Sequence, residues 1–142
     1  MKVQVINKSD NDLPNYETIA SAGCDVRSTH GAHIGPGLSC LIKTGLYVEI
    51  PIGYEIQIRP RSGLALKKGI TVLNAPGTID ADYRGEIGVI IINHGLGPVS
   101  LGKGERIAQL VLNKVEQIKW ESVLALSDTS RGDGGFGSTG KK

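Results

Sequence analysis

Arginines near turns, a close pair of aspartates and glycines next to hydroxyls are the residues of this 142-residue chain that could do chemistry. Five of its six arginines, Arg59, Arg61, Arg84, Arg106 and Arg131, lie beside glycine or proline or close to a turn signal. The planar guanidinium fork suits phosphate and carboxylate oxygens. Ser62-Gly63 follows one of these arginines and Gly137-Ser138-Thr139-Gly140 follows another. Both runs combine exposed backbone N–H groups with hydroxyls, as phosphate cradles do. Any single arginine near a turn is more simply a solvated charge. Asp80 and Asp82 flank Ala81. On a strand, residues two apart share a face, so the two carboxylates would together hold a base or a metal-bound water. In a hairpin turn aspartate is common for local backbone reasons, and the pair by itself favours the turn.

Several chemistries are excluded. There is no HExxH, no Walker loop and no GxSxG, so the usual zinc protease, P-loop and hydrolase-elbow readings have no support. His30, His33 and His94 are isolated, and the first two read as surface-loop residues. Cys24 and Cys40 form neither a CxxC pair nor a disulfide framework, and two ordinary free thiols fit a reducing compartment. The formal net charge of +2 is far from the basic excess of proteins that bind nucleic acid by releasing counterions, so no nucleic-acid partner is expected. No apolar run approaches the ~20 residues of a membrane-spanning helix, and no basic stretch leads into a hydrophobic segment. No membrane partner is expected, and the cytoplasm is the expected compartment.

Such residues need a scaffold. Glycine occupies 20 positions, about twice the usual ~7% and without a Gly-X-Y period, which favours many turns over a helical bundle. Val3, Val5, the LIKTGLYVEI stretch and Tyr54, Ile56 and Ile58 show the period-two alternation of half-buried strands. Frequent glycine and proline punctuation between them predicts an antiparallel sandwich or barrel. Glu86 to Asn93 (EIGVIIIN) is almost continuously apolar and reads as a core strand buried on both faces. Ser62 to Lys68 begins with a capping residue and meets Gly69, which predicts a helix of one or two turns. The ERIAQLVLNKVE stretch fits helical spacing and strand composition equally well. Ser127 to Lys142 holds five glycines and five Ser/Thr residues, the composition of a flexible tail. Yet Phe136, the only phenylalanine, sits there without local apolar neighbours. Its ring gains the ~1.5 to 3 kcal/mol typical of burial only by docking on a ligand or another subunit.

Five segments, AGCDVRS (22–28), PRSGLALK (60–67), NAPGTIDADYRGEIGV (74–89), ERIAQLV (105–111) and RGDGGFGSTG (131–140), resemble in order and spacing the five motifs of the trimeric deoxyuridine triphosphatases (dUTPases). The departures are mild, with Val26 where leucine is commoner and Cys24 at a variable place. The resemblance implies an all-β, jelly-roll-like β-barrel over residues 1–126, a homotrimer, and a flexible glycine-rich tail over residues 127–142 that closes the active site. It also implies a strand for the 105–116 stretch. Each site of such a trimer takes its first, second and fourth motifs from one subunit, the third from a neighbour and the tail from the remaining one.

The resemblance also implies roles. Asn74 and the backbone around Gly77, Thr78, Ile79 and Gly88 would read uracil, Tyr83 would stack on the deoxyribose and exclude a 2′-hydroxyl, and Phe136 would close over the base. Asp80 would bond the 3′-hydroxyl or the attacking water and is assigned as the general base. Arg61, Ser62 and Gly63 would hold the α and β phosphates with help from Gln109. Arg131, Gly137, Ser138 and Thr139 would clamp the γ phosphate, and Asp25 would hold Mg²⁺ through water. The implied reaction is Mg²⁺-dependent attack of water on the α phosphorus of dUTP, giving dUMP and pyrophosphate. It would limit uracil in DNA and supply dUMP for thymidylate synthesis. Two rivals stand beside this reading. A dCTP deaminase of the same superfamily, or a bifunctional relative, would release ammonia from dCTP, and a trimeric nucleotide-sensing or partner-binding protein would bind dUTP without releasing pyrophosphate.

Overall fold

The computed structural model describes residues 1–138. Glycine and proline turns divide the alternating apolar pattern into strands β1 (Gln4–Asn7), β2 (Cys24–Arg27), β3 (Ala32–Ile34), β4 (Ser39–Glu49), β5 (Tyr54–Arg59), β6 (Ile70–Val72), β7 (Gly77–Ile79), β8 (Glu86–Asn93), β9 (Val99–Leu101) and β10 (Arg106–Lys114), with one helix, α1 (Ser62–Lys68). One four-stranded sheet has the order β1-β4-β8-β6 and the other β2-β10-β5-β7, while β3 and β9 form a separate pair. Every pairing is antiparallel. The inner faces of both sheets feed a single core that includes Ile42, Val89 and Ile91 from the first and Val26, Ile58 and Ile107 from the second. Each such side chain stabilises the fold by about 1.5–3 kcal/mol through burial. This is the expected jelly roll, with its two sheets hydrogen-bonded separately and no closed cylinder.

The ambiguous 105–116 stretch is strand β10, whose partners on either side are β2 and β5. Three local expectations need correction. Ser62 is the first residue of α1 and not its cap; Arg61, with extended backbone at φ −92° and ψ 127°, holds the cap position and makes no side-chain capping bond. The helix stops at Gly69 as expected, because φ there is 65° and a Cβ would lie 2.7 Å from the Gly95 nitrogen. Strand β8 is fully buried on one face only: Ile87, Val89, Ile91 and Asn93 point inward, while Glu86, Gly88, Ile90 and Ile92 are half-buried. No second layer of the described residues fully buries that outer face, so apolar composition overstated its burial. Strand β1 is exposed along its whole length, because it is an edge strand paired only with β4.

Beyond β10 the chain leaves the sheets. Val115 N–H still donates to the Gly53 carbonyl (2.9 Å), after which residues 116–133 are all exposed. Ile118, Trp120, Leu124 and Leu126 stand in solvent along this segment, Trp120 at 85% exposure.

Candidate active site

The best-built polar cluster joins three segments far apart in sequence. Asp25, on β2, lies opposite Gln109 of β10, which in turn pairs with Arg59 of β5. From that position its carboxylate accepts two guanidinium bonds: Arg61 Nε donates to Oδ1 (3.0 Å) and Arg106 Nη1 to Oδ2 (3.0 Å). Arg61 Nη1 also donates to the Arg106 carbonyl (3.2 Å), and Arg106 Nη1 reaches Glu17 Oε1 (3.0 Å). The Asp25 side chain is only 9% exposed, against 25% for Arg61 and 37% for Arg106. A buried carboxylate is tolerable here because both oxygens have charged donors. Arg61 is thereby fixed by two contacts, and Ser62 and Gly63 follow it, exposed, at the start of α1.

The second cluster is the connection from β7 to β8. Ile79 ends β7 and Glu86 begins β8, so Asp80 and Asp82 lie in a turn and not on one face of a strand. Tyr83 N–H donates to the Asp80 carbonyl (3.2 Å), and Arg84 Nη1 donates to the carbonyls of Ala81 (2.7 Å) and Tyr83 (3.0 Å). Asp80 and Asp82 line an open cleft of about 780 Å³ together with Tyr54, Glu55, Arg84 and Gln117. Gly77 and Ile79 are buried and Thr78 is exposed, and the Ile79 side chain belongs to the core. Asn74 is exposed with its Nδ2 beside Gly77, and Gly88 leaves room where a Cβ would meet Leu41. Gln109 shares a smaller cleft with Gln57, Arg59, Pro60, Ala75 and Pro76.

Asp80 and Arg61 do not meet within one chain, although Gln109 shares its cleft with Ala75 and Pro76. Strands β5 and β7 pair with Ile58 opposite Gly77 and Ile56 opposite Ile79. Arg61 therefore lies beyond one end of this ladder and Asp80 beyond the other, roughly 15–20 Å apart along the strand direction at ~3.3 Å per residue. The tail is a third separate group. Arg131 Nε donates to the Gly134 carbonyl (2.8 Å), Phe136 takes φ 49° with its ring wholly exposed, and Gly137 takes φ 90°. Ser138 N–H donates to the Gly135 carbonyl (3.0 Å), and Thr139 lies outside the described residues.

Arg106 and Glu17 belong to the Asp25 cluster without having been given a role there from the sequence. Arg106 carried a signal, as an arginine near a turn; Glu17 carried none, because its partner is 89 residues away. His33 lies on β3 and not in a loop, with Nδ1 2.9 Å from Ser100 Oγ. Among the described residues no group of three or more His, Cys, Asp or Glu side chains converges as a metal cage, and both cysteines are free. Burial pushes the thiols of Cys24 and Cys40 above their ordinary range. No helix of the described residues is long and apolar enough to cross a membrane.

The dUTPase family model matches residues 9–140. The chain belongs to the dUTPase family. As a dUTPase it is a dUTP nucleotidohydrolase. Among solved structures it is similar to the dUTPase of Staphylococcus bacteriophage 80alpha with dUpNHpp, at 30% identity over 98% of each chain and a TM-score of 0.89. A single-substitution mutant of that phage dUTPase, also with dUpNHpp, gives 29% identity over 98% of each chain and a TM-score of 0.89. A mutant dUTPase of phage phi11 of S. aureus, described with a structural Mg(II) ion, is 24% identical over 90% of this chain and 100% of that one, with a TM-score of 0.82. That last likeness bears on the fold alone. The dUTPase motifs thus sit on three bodies of this chain: the Asp25–Arg61–Gln109 cluster, the β7–β8 turn and the tail.

Proposed function

We propose that this dUTPase works as a homotrimer whose sites form between chains, with Asp25, Arg61, Ser62, Gly63 and Gln109 from one subunit, the β7–β8 turn from a second and the tail from a third. The observation that carries this reading is the separation of Asp80 from Arg61 along the β5–β7 ladder. A base and a phosphate anchor so far apart cannot serve one α phosphorus, whereas two neighbouring chains can bring them together. The half-buried outer face of β8 and the exposed apolar residues after β10 support association. On this reading residues 1–126 form the body and 127–142 the closing tail.

In the assembled site, Asn74 and the backbone of Gly77, Thr78, Ile79 and Gly88 bind the uracil edge, and Tyr83 faces the sugar. Arg61, Ser62 and Gly63 hold the α and β phosphates while Gln109 orients phosphate or water. Asp80 takes the proton of the attacking water, which adds in line at the α phosphorus and expels pyrophosphate, leaving dUMP. Phe136 covers the base, and Arg131, Gly137, Ser138 and Thr139 hold the γ phosphate. Ordering such a glycine-rich segment only on binding couples closure to the presence of the triphosphate.

Mg²⁺ fits this set in one way. Asp25 already accepts from two arginines and no cage of the described residues surrounds it, so the carboxylate would hold the ion through water while the triphosphate supplies most direct oxygens. When bound, the ion offsets triphosphate charge. The test is pyrophosphate release from dUTP, dTTP, dCTP and UTP with Mg²⁺ present. Fast turnover of dUTP alone is expected; comparable turnover of UTP or dTTP would overturn the assignment of the β7–β8 turn as the reader of base and sugar.

A further inference from the structure

Tyr83 is held in place by contacts that none of the assigned roles uses. Its Oη donates to the Glu86 carbonyl (3.0 Å), and Glu86 is itself tied to β4, with Oε1 accepting from Gly45 N–H (2.9 Å) and Oε2 3.6 Å from Lys43 Nζ. The phenol is thus fastened to the rigid start of β8. Between these two residues lies Gly85. A Cβ built there would fall 2.3 Å from Tyr83 Oη, 2.4 Å from Cζ and 2.8 Å from Cε2. The ring therefore lies directly over the Gly85 backbone. Gly85 does not have a positive φ, so its backbone conformation is open to alanine and gives no reason of its own for glycine.

We propose that Gly85 is a specificity-determining positioning residue: the absence of a side chain there forms the seat that sets the depth of the Tyr83 ring, and hence the closeness with which the ring meets the sugar. The inference rests on the sugar-facing role of Tyr83. Backbone on one side and a pinned carbonyl at the tip leave the ring little choice of position. A methyl at residue 85 must displace it, because the atoms it meets are the far end of a side chain and not backbone. A misplacement of ~1 Å can cost ~10² in rate even when the change lies away from the reacting atoms. Off its seat, the ring no longer meets the sugar at the depth that separates deoxyribose from ribose, and the comparison affected is dUTP against UTP.

The test is a double-mutant cycle on the full chain with Tyr83→Ala, Gly85→Ala and the double variant, reading kcat/KM for dUTP and for UTP with Mg²⁺. Gly85→Ala should reduce the preference for dUTP by about 10-fold, the scale of a pocket that rejects one hydroxyl by shape. It should add nothing further when Tyr83 is already alanine, because the two changes then act through the same ring. An unchanged preference in Tyr83→Ala would sink the underlying role of Tyr83. If Tyr83→Ala relaxes the preference and Gly85→Ala does not, the seat is wrong while the Tyr83 role stands. An equal effect of Gly85→Ala in both backgrounds would show that it acts through the backbone, and would also overturn the seat. Should Gly85→Ala fail to fold, the double variant decides: recovery of a cooperative melt supports a clash with the ring, and failure of both overturns it.

Discussion

Removing the Asp25 carboxylate separates its structural work from its proposed work for the metal. In Asp25→Ala two charge-assisted bonds are lost, each worth about 1.5–3 kcal/mol when a charged group is involved. Two guanidiniums are left facing one another. A fully buried broken pair costs about 3–5 kcal/mol and an exposed one about 0–1 kcal/mol. With the arginines 25% and 37% exposed, water recovers part of the loss, and about 2–3 kcal/mol remains. With a urea slope of ~1–3 kcal/mol per molar, the unfolding midpoint should fall by about 1 M. In the proposed trimer, assembly would contribute to stability, so the comparison needs a fixed chain concentration. Asp25→Asn keeps one acceptor for one arginine and should lose about half as much. The untethered Arg61 should also raise KM for dUTP by about 10-fold, the equivalent of ~1.4 kcal/mol. Added Mg²⁺ should not return it to normal, since an arginine as well as the ion has lost its holder. An unaltered urea midpoint in Asp25→Ala, or a KM that returns to normal with excess Mg²⁺, would refute this account.

Asp80→Asn should lower kcat by roughly 10²–10⁴, the usual contribution of a positioned base, with dUTP binding and the melting curve preserved; a near-normal kcat would remove Asp80 as the base. A chain ending at Ser130 should fold with little change in melting temperature yet lose most activity. Mixing it with full-length Asp80→Asn should restore part of that activity, since a mixed trimer can combine an intact turn with an intact tail. If mixed trimers form and no activity returns, the three-chain site is wrong. Cys24 and Cys40, whose thiols burial holds above the ordinary value of 9.0, should react with iodoacetamide more slowly than free cysteine at neutral pH. Because the folded state favours the protonated thiol, this contribution to stability is present below that value and is lost as pH rises through the higher folded values. Alkylation at the rate of a free thiol would contradict it.

The parts of this molecule legible in its sequence are those set by local backbone chemistry. Gly69 stops α1 because its left-handed φ suits glycine, and Ile56 and Ile58 alternate inward because a strand has period two. The 105–116 stretch is not decidable from pattern, since Ile107, Leu110, Val111 and Val115 fit helical spacing while the stretch has the composition of a strand; the resemblance of ERIAQLV to a family motif decides it. What remained hidden depends on distant contacts. Asp25 gains its arginines from positions 36 and 81 residues away, and no local spacing encodes that. The burial of β8 was overstated because an apolar run does not say whether a second layer of the same chain covers it. The separation of Asp80 from Arg61 follows from the register of β5 against β7, a property of strand pairing that composition cannot report.

Trp120 is the only tryptophan of the chain and stands in solvent beyond the last strand. Its position turns an exposed apolar segment into a reporter. Light at the red edge of protein absorption excites this indole and none of the four tyrosines, so the emission reads one place in the fold. In a dilute monomer the emission maximum should be that of a water-surrounded indole. If the segment after β10 is covered when chains associate, the spectrum shifts to the blue as concentration rises, and the midpoint of that shift gives the assembly equilibrium without any label. Nucleotide added to the assembled protein then asks a separate question, whether closing of the tail some sixteen residues downstream is felt at Trp120.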